Sequence, residues 1–413
     1  MAQDVVVGVT GPFGSGCSEV AETLRCEQGH HLVRISDILE NEAKERQILL
    51  PKLKGQRRRD LQRLGNQLRR ENGNGILIQK ALQLAENEAP DRSVVVDSIK
   101  NPGEVQELRA LGNGYVIAVD ASAETRWKRI AEEYDHDHRR FLLDDRTDKD
   151  EGVDFGQKVQ KCVDLADVIL INESDWGGSV SKRRSFQAKA LDYATLLEEP
   201  AFREPRVREL VMNIAYSTSL RSKCISRQVG AVIALQRTSE EPYYVLAMGH
   251  NHVPLGSNDC IDEWKECYRR RQNRESLAKV VYCPSCGKEI TEGRCPNDKC
   301  DFAKSERNIV EELSYPGRGL DICPAVHAEE SAILQTSLLG GPSPVGGTMF
   351  TTTFPCALCA KMIVETSIIE VVYVEAYPSS RAMEMLKNAG VQLTRFEGVK
   401  AHSYSKLFDR SGT

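Results

Sequence analysis

Four short apolar runs, separated by charge-rich stretches, restrict what the first part of this chain can fold into. None of the runs alternates apolar with polar residues, and they lie at 5–9, 93–96, 115–119 and 168–171. Strands of this kind are typical of a parallel sheet that is covered by helices on both faces. We predict an α/β domain over residues 1–180, followed by a linker over 181–205 in which prolines bracket a connector.

The remaining residues, 206–413, predict a second α/β domain. Their helical and strand patterns follow one another in the order αββαβαβαβ, and a long polar insertion at 257–321 interrupts them. A chain of 413 residues is long enough to bury two cores. We therefore expect two domains, the second with its sheet between helical layers.

A glycine-rich turn joins the first predicted strand to the first predicted helix, which is the context of a P-loop. Gly11, Gly14 and Gly16 allow backbone N–H groups to surround a phosphate, and Ser18 occupies the position of the hydroxyl that binds Mg²⁺. Cys17 stands where the pattern requires the lysine that neutralises a transferred phosphoryl group. We predict a nucleotide and Mg²⁺ at this turn, without kinase turnover.

Two further segments of the first domain resemble nucleoside monophosphate kinases. The stretch 97–104 begins with Asp97, a carboxylate at the end of a predicted strand, and Arg126, Lys128 and Arg129 resemble the lid of those enzymes. The resemblance implies a P-loop kinase-like fold for residues 1–180. The alternative is a retired kinase fold that serves as a scaffold.

Two short motifs, HAE at 327–329 and PCALC at 355–359, supply metal ligands and a carboxylate. The spacing at a helix start places Cys356 and Cys359 one turn apart, so that both thiolates can reach one ion together with His327. A catalytic zinc keeps three protein ligands and an open position for water, whereas a structural zinc usually has four. We predict a catalytic zinc, with Glu329 as the acid–base group; the alternative is a structural zinc site.

The pattern H-x-E followed by P-C-x-x-C is the signature of zinc deaminases. Residues from about 206 to 400 resemble the deoxycytidylate deaminase family in several further segments: RSKC at 221–224, RQVGAVI at 227–233, GHNHVP at 249–254, TFPC at 353–356, CAKMI at 359–363 and YP at 377–378. The resemblance implies a cytidine-deaminase-like fold, in which Asn251 binds the deoxyribose. The alternative for Asn251 is a turn residue. His250 and His252 depart from the aromatic residue and the glycine of the family.

The polar insertion is rich in cysteine. Four of its cysteines have the short spacing of a closed tetrahedral zinc site, and we predict that they bind a second, structural zinc in a zinc ribbon: Cys283, Cys286, Cys295 and Cys300. Three others flank the insertion as alternative ligands: Cys260, Cys267 and Cys323. A basic run just before the ribbon, Arg269 to Arg271 with Arg274, either contacts RNA or DNA or forms a solvated helix face.

The formal net charge of −5 argues against a surface that grips long nucleic acid and favours a small-molecule substrate. No apolar stretch approaches the roughly 18 residues of a membrane-spanning helix, and the N-terminus lacks the pattern of a signal peptide. We expect no membrane partner and a cytoplasmic location. In that reducing compartment, 13 cysteines indicate metal ligands and buried residues rather than disulfides.

A kinase-like domain joined to a deaminase domain resembles the bacterial antiphage dCTP deaminases. That resemblance implies deamination of dCTP, dCMP or both to dUTP or dUMP, which depletes deoxycytidine nucleotides in antiviral defence. It also implies a homo-oligomer whose activity is restrained by an inhibitory RNA, a regulatory nucleotide or the first domain. Three alternatives stay open: a housekeeping dCMP deaminase, a nucleic-acid cytosine or adenosine deaminase, and a sensor without enzymatic activity.

Overall fold

A computed structural model describes residues 5–51, 54–174, 179–238, 242–277, 281–282, 289–290, 323–338, 340–375 and 380–409. The chain divides into two compact units. The first contains Met1–Glu209 and Phe396–Thr413, and the second contains Leu210–Arg395.

The strands of the described residues are β1 (Val6–Thr10), β2 (His31–Arg34), β3 (Val94–Ile99), β4 (Gly114–Asp120), β5 (Val168–Ile171), β6 (Gly230–Leu235), β7 (Tyr244–His250), β8 (Val281–Tyr282), β9 (Glu289–Ile290), β10 (Thr348–Thr353), β11 (Glu370–Glu375), β12 (Gln392–Arg395) and β13 (Gly398–Val399). The α-helices are α1 (Cys17–Glu27), α2 (Ile35–Glu45), α3 (Lys54–Asn72), α4 (Ile76–Glu88), α5 (Pro102–Ala110), α6 (Ala123–Ile130), α7 (His138–Lys149), α8 (Val159–Leu165), α9 (Val180–Glu198), α10 (Val207–Ser219), α11 (Cys260–Glu263), α12 (Tyr268–Leu277), α13 (Ala328–Leu338), α14 (Ala357–Glu365), α15 (Ser380–Asn388) and α16 (Ala401–Phe408). A 3₁₀ helix, Ala131–Tyr134, follows α6. None of the described helices is long and apolar enough to cross a membrane.

The first unit is built on a six-stranded sheet with the order β13-β5-β4-β1-β3-β2. Strands β1 to β5 are parallel, and β1 lies in the middle, between β3 and β4. All five residues of β1 are buried, as expected of a strand with helices on both faces. The predicted parallel sheet is confirmed.

The predicted linker is wrong over most of its length. Residues 180–198 form helix α9, and its Phe186, Tyr193 and Leu197 are buried in the same apolar cluster as Val7 and Val119 of the sheet. The helix was not predicted because its exposed side carries charged residues, as a connecting segment does, and these residues interrupt the apolar pattern in the sequence.

The predicted C-terminal boundary is wrong as well, since residues 396–413 belong to the first unit. Strand β13 pairs antiparallel with β5, Gly398 opposite Ile169. Val399 and Leu407 are buried in the core cluster of the first unit. Local patterning predicts a strand or a helix but does not tell which of two sheets it joins.

The second unit contains a five-stranded sheet with the order β12-β11-β10-β6-β7. Strands β10, β11 and β12 are parallel, whereas β6 pairs antiparallel with β7 and with β10. Outside the insertion, its elements follow the predicted order αββαβαβαβ, which confirms that prediction. Strands β8 and β9 of the insertion form a separate antiparallel pair.

Helix α13 packs directly against the backbone of strand β7. A Cβ atom on Gly249 would lie 2.3 Å from the carbonyl oxygen of Ala328 and 2.4 Å from the nitrogen of Ala332. Only glycine permits such a close approach. The sheet thereby fixes the start of α13, where the candidate site begins.

Candidate active site

Three predicted ligands, His327, Cys356 and Cys359, meet at one point of the second unit. Their ligand atoms all lie within 4.8 Å of one another, and no other group of three or more such residues in the described ranges is this compact. Nδ1 of His327 is 3.3 Å from Sγ of Cys356 and 3.3 Å from Sγ of Cys359. The ring therefore faces both sulfur atoms through the same nitrogen.

Two helix starts position these ligands. Cys356 is the N-cap of α14 and Cys359 lies in its first turn, directly after the buried strand β10. His327 immediately precedes α13, and Glu329 lies in the first turn of that helix. Helix α14 follows strand β10, and the residues just before α13 are held by a bridge between Val326 and His252, so that the backbone places both helix starts.

The electrostatics of the cluster favour one thiolate. Hydrogen bonds from Cys359 and His327 stabilise the charged form of Cys356 and lower its pKa to about 4. The same hydrogen bond raises the pKa of Cys359, which keeps its proton, and the contact with Cys356 raises the pKa of His327. A divalent cation displaces such protons when it binds thiolates and imidazole. Two sulfurs and one imidazole nitrogen fit a three-ligand zinc site with an open position.

Glu329 is buried beside the cluster. Its Oε2 accepts a hydrogen bond from Sγ of Cys359 at 3.6 Å, and only 5% of its surface is exposed. Burial raises the pKa of its carboxyl group. A carboxyl group with a raised pKa holds a proton more strongly than an exposed one, which suits a group that both accepts and donates protons.

A cavity of about 290 Å³ opens onto these residues. His327, Glu329 and Cys356 contribute to its wall, together with Asn251 and Phe354. Pockets that bind small molecules begin at about this volume.

Asn251 lines the cavity, but its amide group also holds the backbone. Its Oδ1 accepts the N–H of Val229 at 2.8 Å, and its Nδ2 donates to the carbonyl of Arg227 at 2.9 Å. One N–H and one lone pair of the amide are left for a ligand. The predicted sugar contact and the alternative of a turn residue are thus compatible.

Three arginines line the same cavity: Arg227, Arg269 and Arg270. Arg227 pairs with Glu375 at 3.0 Å. Within the described ranges, Arg269 and Arg270 have no carboxylate partner. The sequence did not predict that these two arginines lie near the metal cluster, because a run of arginines on α12 is also compatible with a solvated helix face.

Other predicted metal ligands separate into two groups. Cys260, Cys267 and Cys323, with Cys224, line a neighbouring cavity of about 30 Å³. The four predicted ligands of the second zinc lie outside the described residues: Cys283, Cys286, Cys295 and Cys300. The segment 377–378 and the side chain of Arg274 also lie outside them.

The glycine-rich turn of the first unit has the geometry of a phosphate-binding loop. Gly14 and Gly16 have φ angles of 79° and 113°, which residues with a side chain rarely adopt. Oγ of Ser18 donates to Oδ2 of Asp97 at 2.8 Å, because β3 lies beside β1. The hydroxyl and the carboxylate that a magnesium ion would require are therefore adjacent.

The three residues that resemble a kinase lid have other partners. Arg126 is buried and pairs with Asp145 at 2.6 Å, and Arg129 donates to the carbonyl of Gly14 at 3.0 Å. Lys128 pairs with Glu124 on the surface. Arg126 and Arg129 therefore brace the folded loop and do not form a lid in this structure.

Comparison with known proteins gives matches to both units. Residues 205–375 match the family described as cytidine and deoxycytidylate deaminase zinc-binding region. The deoxycytidylate deaminase of Enterobacteria phage T4 is 31% identical over 185 residues, which cover 44% of this chain and 86% of that protein. A UPF0200 protein of Sulfurisphaera tokodaii is 28% identical over 173 residues, 41% of this chain and 88% of that protein, and fits a P-loop kinase-like first unit.

Among solved structures, a dCMP deaminase from cyanophage S-TIM5, in complex with dCMP and dUMP, is similar to this chain at 21% identity. The match covers 47% of this chain and 99% of the phage protein, with a TM-score of 0.29.

Proposed function

Because the chain belongs to the cytidine and deoxycytidylate deaminase family and is a hydrolytic cytosine nucleotide deaminase, we propose that it converts dCTP and dCMP to dUTP and dUMP with release of ammonia. The observation that carries this proposal is the cluster of His327, Cys356 and Cys359, of which His327 and Cys356 line one cavity together with Glu329.

The cluster would hold the zinc ion through Nδ1 of His327 and the two sulfur atoms. A zinc ion in such a site supplies Lewis acidity, which brings the pKa of a coordinated water towards neutrality. The lowered pKa of Cys356 favours the thiolate, the form in which a cysteine binds zinc. The neighbouring Cys359 would lose its proton on binding such an ion.

Glu329 moves the protons of the reaction. Water adds to C4 of the cytosine ring, and Glu329 accepts one of its protons and delivers it to the ring nitrogen N3. It then passes the second proton to the amino group, which leaves as ammonia. Cytosine and water thereby become uracil and ammonia, with no other reactant.

The arginines in the cavity wall support a phosphorylated substrate. Arg269 and Arg270, without ion-pair partners in the described ranges, face the cavity with Arg227. Guanidinium groups bind phosphates through charge-assisted hydrogen bonds. Several of them in one wall suit the charge of a nucleotide, and a triphosphate more than a monophosphate.

The test is ammonia release from the purified, zinc-loaded protein with dCTP, dCMP, CTP or a cytosine-containing single-stranded oligonucleotide. We expect turnover of dCTP and dCMP. Glu329→Gln should reduce kcat by about 10²–10⁴-fold with zinc still bound, because only the proton carrier is lost. Glu365→Gln, at an exposed position at the end of α14, is the control and should stay within a few-fold of the wild type. Turnover of the oligonucleotide alone would contradict the proposal and favour nucleic-acid editing.

We propose the cellular role on the resemblance of the two-domain chain to antiphage dCTP deaminases. In that role the protein is a cytoplasmic homo-oligomer that lowers deoxycytidine nucleotide levels during infection and is held inactive by RNA or by a nucleotide. Cells that produce the wild-type chain should lose dCTP after phage infection, whereas cells with Glu329→Gln should not. Unchanged dCTP in infected wild-type cells would favour the housekeeping dCMP deaminase.

A further inference from the structure

The glycine loop of the first unit lacks the charge that such loops bring to a phosphate. Cys17 occupies the position of the usual lysine, and burial raises the pKa of its thiol to about 12. The side chain is therefore neutral at pH 7. The positive charge that the usual lysine brings to the β- and γ-phosphates must therefore come from another residue.

Lys100 brings a cation to the loop from another strand. It follows β3, the neighbour of β1, and its Nζ donates to the carbonyl oxygen of Gly11 at 3.1 Å. The same Nζ lies 3.2 Å from Oδ1 of Asp148. Only 17% of the lysine side chain is exposed, so it is held at the first glycine of the loop.

A basic cavity of about 350 Å³ adjoins the loop. Ser18, Asp97 and Lys100 form part of its wall, and the other cations in the wall are Arg57, Arg58 and Arg69. Each of these arginines has a carboxylate partner: Glu40 for Arg57, Glu133 for Arg58 and Glu104 for Arg69. Of these three carboxylates, Glu40 alone lines the cavity. The wall therefore presents four cationic and two anionic side chains, which suits an anionic ligand of nucleotide size.

We propose that Lys100 replaces the missing loop lysine, so that the glycine loop and this basic cavity bind the phosphates of a nucleotide, with Mg²⁺ held by Ser18 and Asp97. The site binds without transferring a phosphoryl group. It belongs wholly to the first unit and does not depend on the proposed deaminase reaction.

The experiment measures binding of ATP with Mg²⁺ to the full-length protein by equilibrium dialysis. ATP carries no cytosine, and unchanged ATP binding in Arg269→Ala/Arg270→Ala, which lacks the proposed phosphate contacts of the deaminase cavity, shows that the deaminase site is not the one observed. Lys100→Ala should weaken binding at least about tenfold. Lys80→Ala is the matched control, because Lys80 pairs with Glu42 at 3.1 Å and does not line the cavity; its affinity should stay within about twofold of the wild type.

Lys100→Ala leaves Asp148 buried without its partner, which could weaken binding by disturbing the fold. The double variant Lys100→Ala/Asp148→Asn removes that charge, and thermal unfolding of each variant reports whether it is folded. We expect the double variant, once folded, to bind at least about tenfold more weakly than the wild type. Wild-type affinity in the double variant, or no binding of ATP to the wild type at millimolar concentration, would overturn the proposal.

The role of Mg²⁺ is tested separately. Asp97→Asn should weaken ATP binding in the presence of Mg²⁺ and leave it unchanged in EDTA. Equal affinities of the wild type in Mg²⁺ and in EDTA would overturn the magnesium assignment.

Discussion

The metal cluster of the second unit and the glycine loop of the first unit are built in opposite ways. In the second unit each ligand sits at or within two residues of a helix start, so that two short motifs contain the whole cluster. In the first unit the loop supplies the glycines and Ser18, but Asp97 comes from the neighbouring strand β3 and Lys100 from the residue after that strand. Local motifs find a site completely only when every member of the site lies in one of the short segments that the motifs describe.

The two sites also differ in what compensates their charges. The metal cluster brings two sulfur atoms and an imidazole beside a buried carboxyl group, and a divalent cation that binds these ligands displaces their protons. Around the loop, lysine and arginine side chains are already paired with carboxylates. We therefore expect loss of the metal ion to abolish the activity of the deaminase site, whereas loss of one cationic side chain should only weaken binding at the glycine loop.

The largest effect is expected from a substitution that removes the metal site of the second unit and leaves the glycine loop of the first unit intact. Cys356→Ser removes a thiolate that the cluster cannot replace, and zinc content and ammonia release should fall together, the latter by more than about 10³-fold. ATP binding should stay within about twofold of the wild type. Zinc is measured by plasma mass spectrometry, and Cys26→Ser, at an exposed cysteine, is the control. Full zinc content in Cys356→Ser would show that the cluster is not the metal site.

An intermediate effect should separate substrates within the second unit. Arg269→Ala/Arg270→Ala should lower kcat/KM for dCTP by about 10–100-fold, because two charge-assisted contacts to phosphate are lost. The loss for dCMP should be smaller, since it has fewer phosphates. Arg381→Ala, at an exposed position of the same unit, is the control. Equal losses for dCTP and dCMP would mean that these arginines do not distinguish the two.

The smallest expected effect concerns the stability of the first unit. Burial raises the pKa of Asp167, but hydrogen bonds from His402 and Ser403 outweigh it and lower the pKa overall. Its Oδ2 also accepts the N–H of Val116 at 2.6 Å. Asp167→Asn should lower the free energy of unfolding by about 1–3 kcal/mol at pH 7.

The pH dependence gives this prediction its sign. A carboxyl group with a lowered pKa stabilises the fold above the unfolded value of about 4, and this contribution is lost as the pH falls further. In urea unfolding followed by circular dichroism, the difference between the wild type and Asp167→Asn should therefore shrink below about pH 4. The exposed Asp91→Asn is the control. A difference that persists unchanged at pH 3 would show that ionisation of Asp167 plays no part.

Much of the fold could be predicted because four of the five parallel strands of the first unit carry their own signal, whereas β2 (His31–Arg34) does not. Continuous apolar runs predicted the parallel sheet, and the order of elements in the second unit was correct. The boundaries failed where long-range pairing decides them. Helix α9 looked like a connector, and β13 has only two residues, so neither pattern showed that both belong to the first unit.

The candidate site divides in the same way. The spacing of Cys356 and Cys359, together with the zinc-deaminase signature that adds His327, predicted the cluster. The presence of Arg269 and Arg270 in the cavity wall instead depends on how α12 packs. Lys100 was likewise inconspicuous, because its contact with Gly11 exists only once β3 pairs with β1. The four-cysteine zinc site of the insertion stays a prediction.

The pairing of β13 with β5 also sets an order of events during synthesis. A ribosome makes the whole of Leu210–Arg395 after β5 and before β13. At roughly 5–20 residues per second, that interval is about 10–40 s. Throughout it, the edge of β5 that will pair with β13 has its backbone groups unpaired, and such an edge can recruit a strand from another nascent chain. The deaminase unit is therefore the first to have all of its residues available for folding, and the unit that begins the chain is the last to be completed.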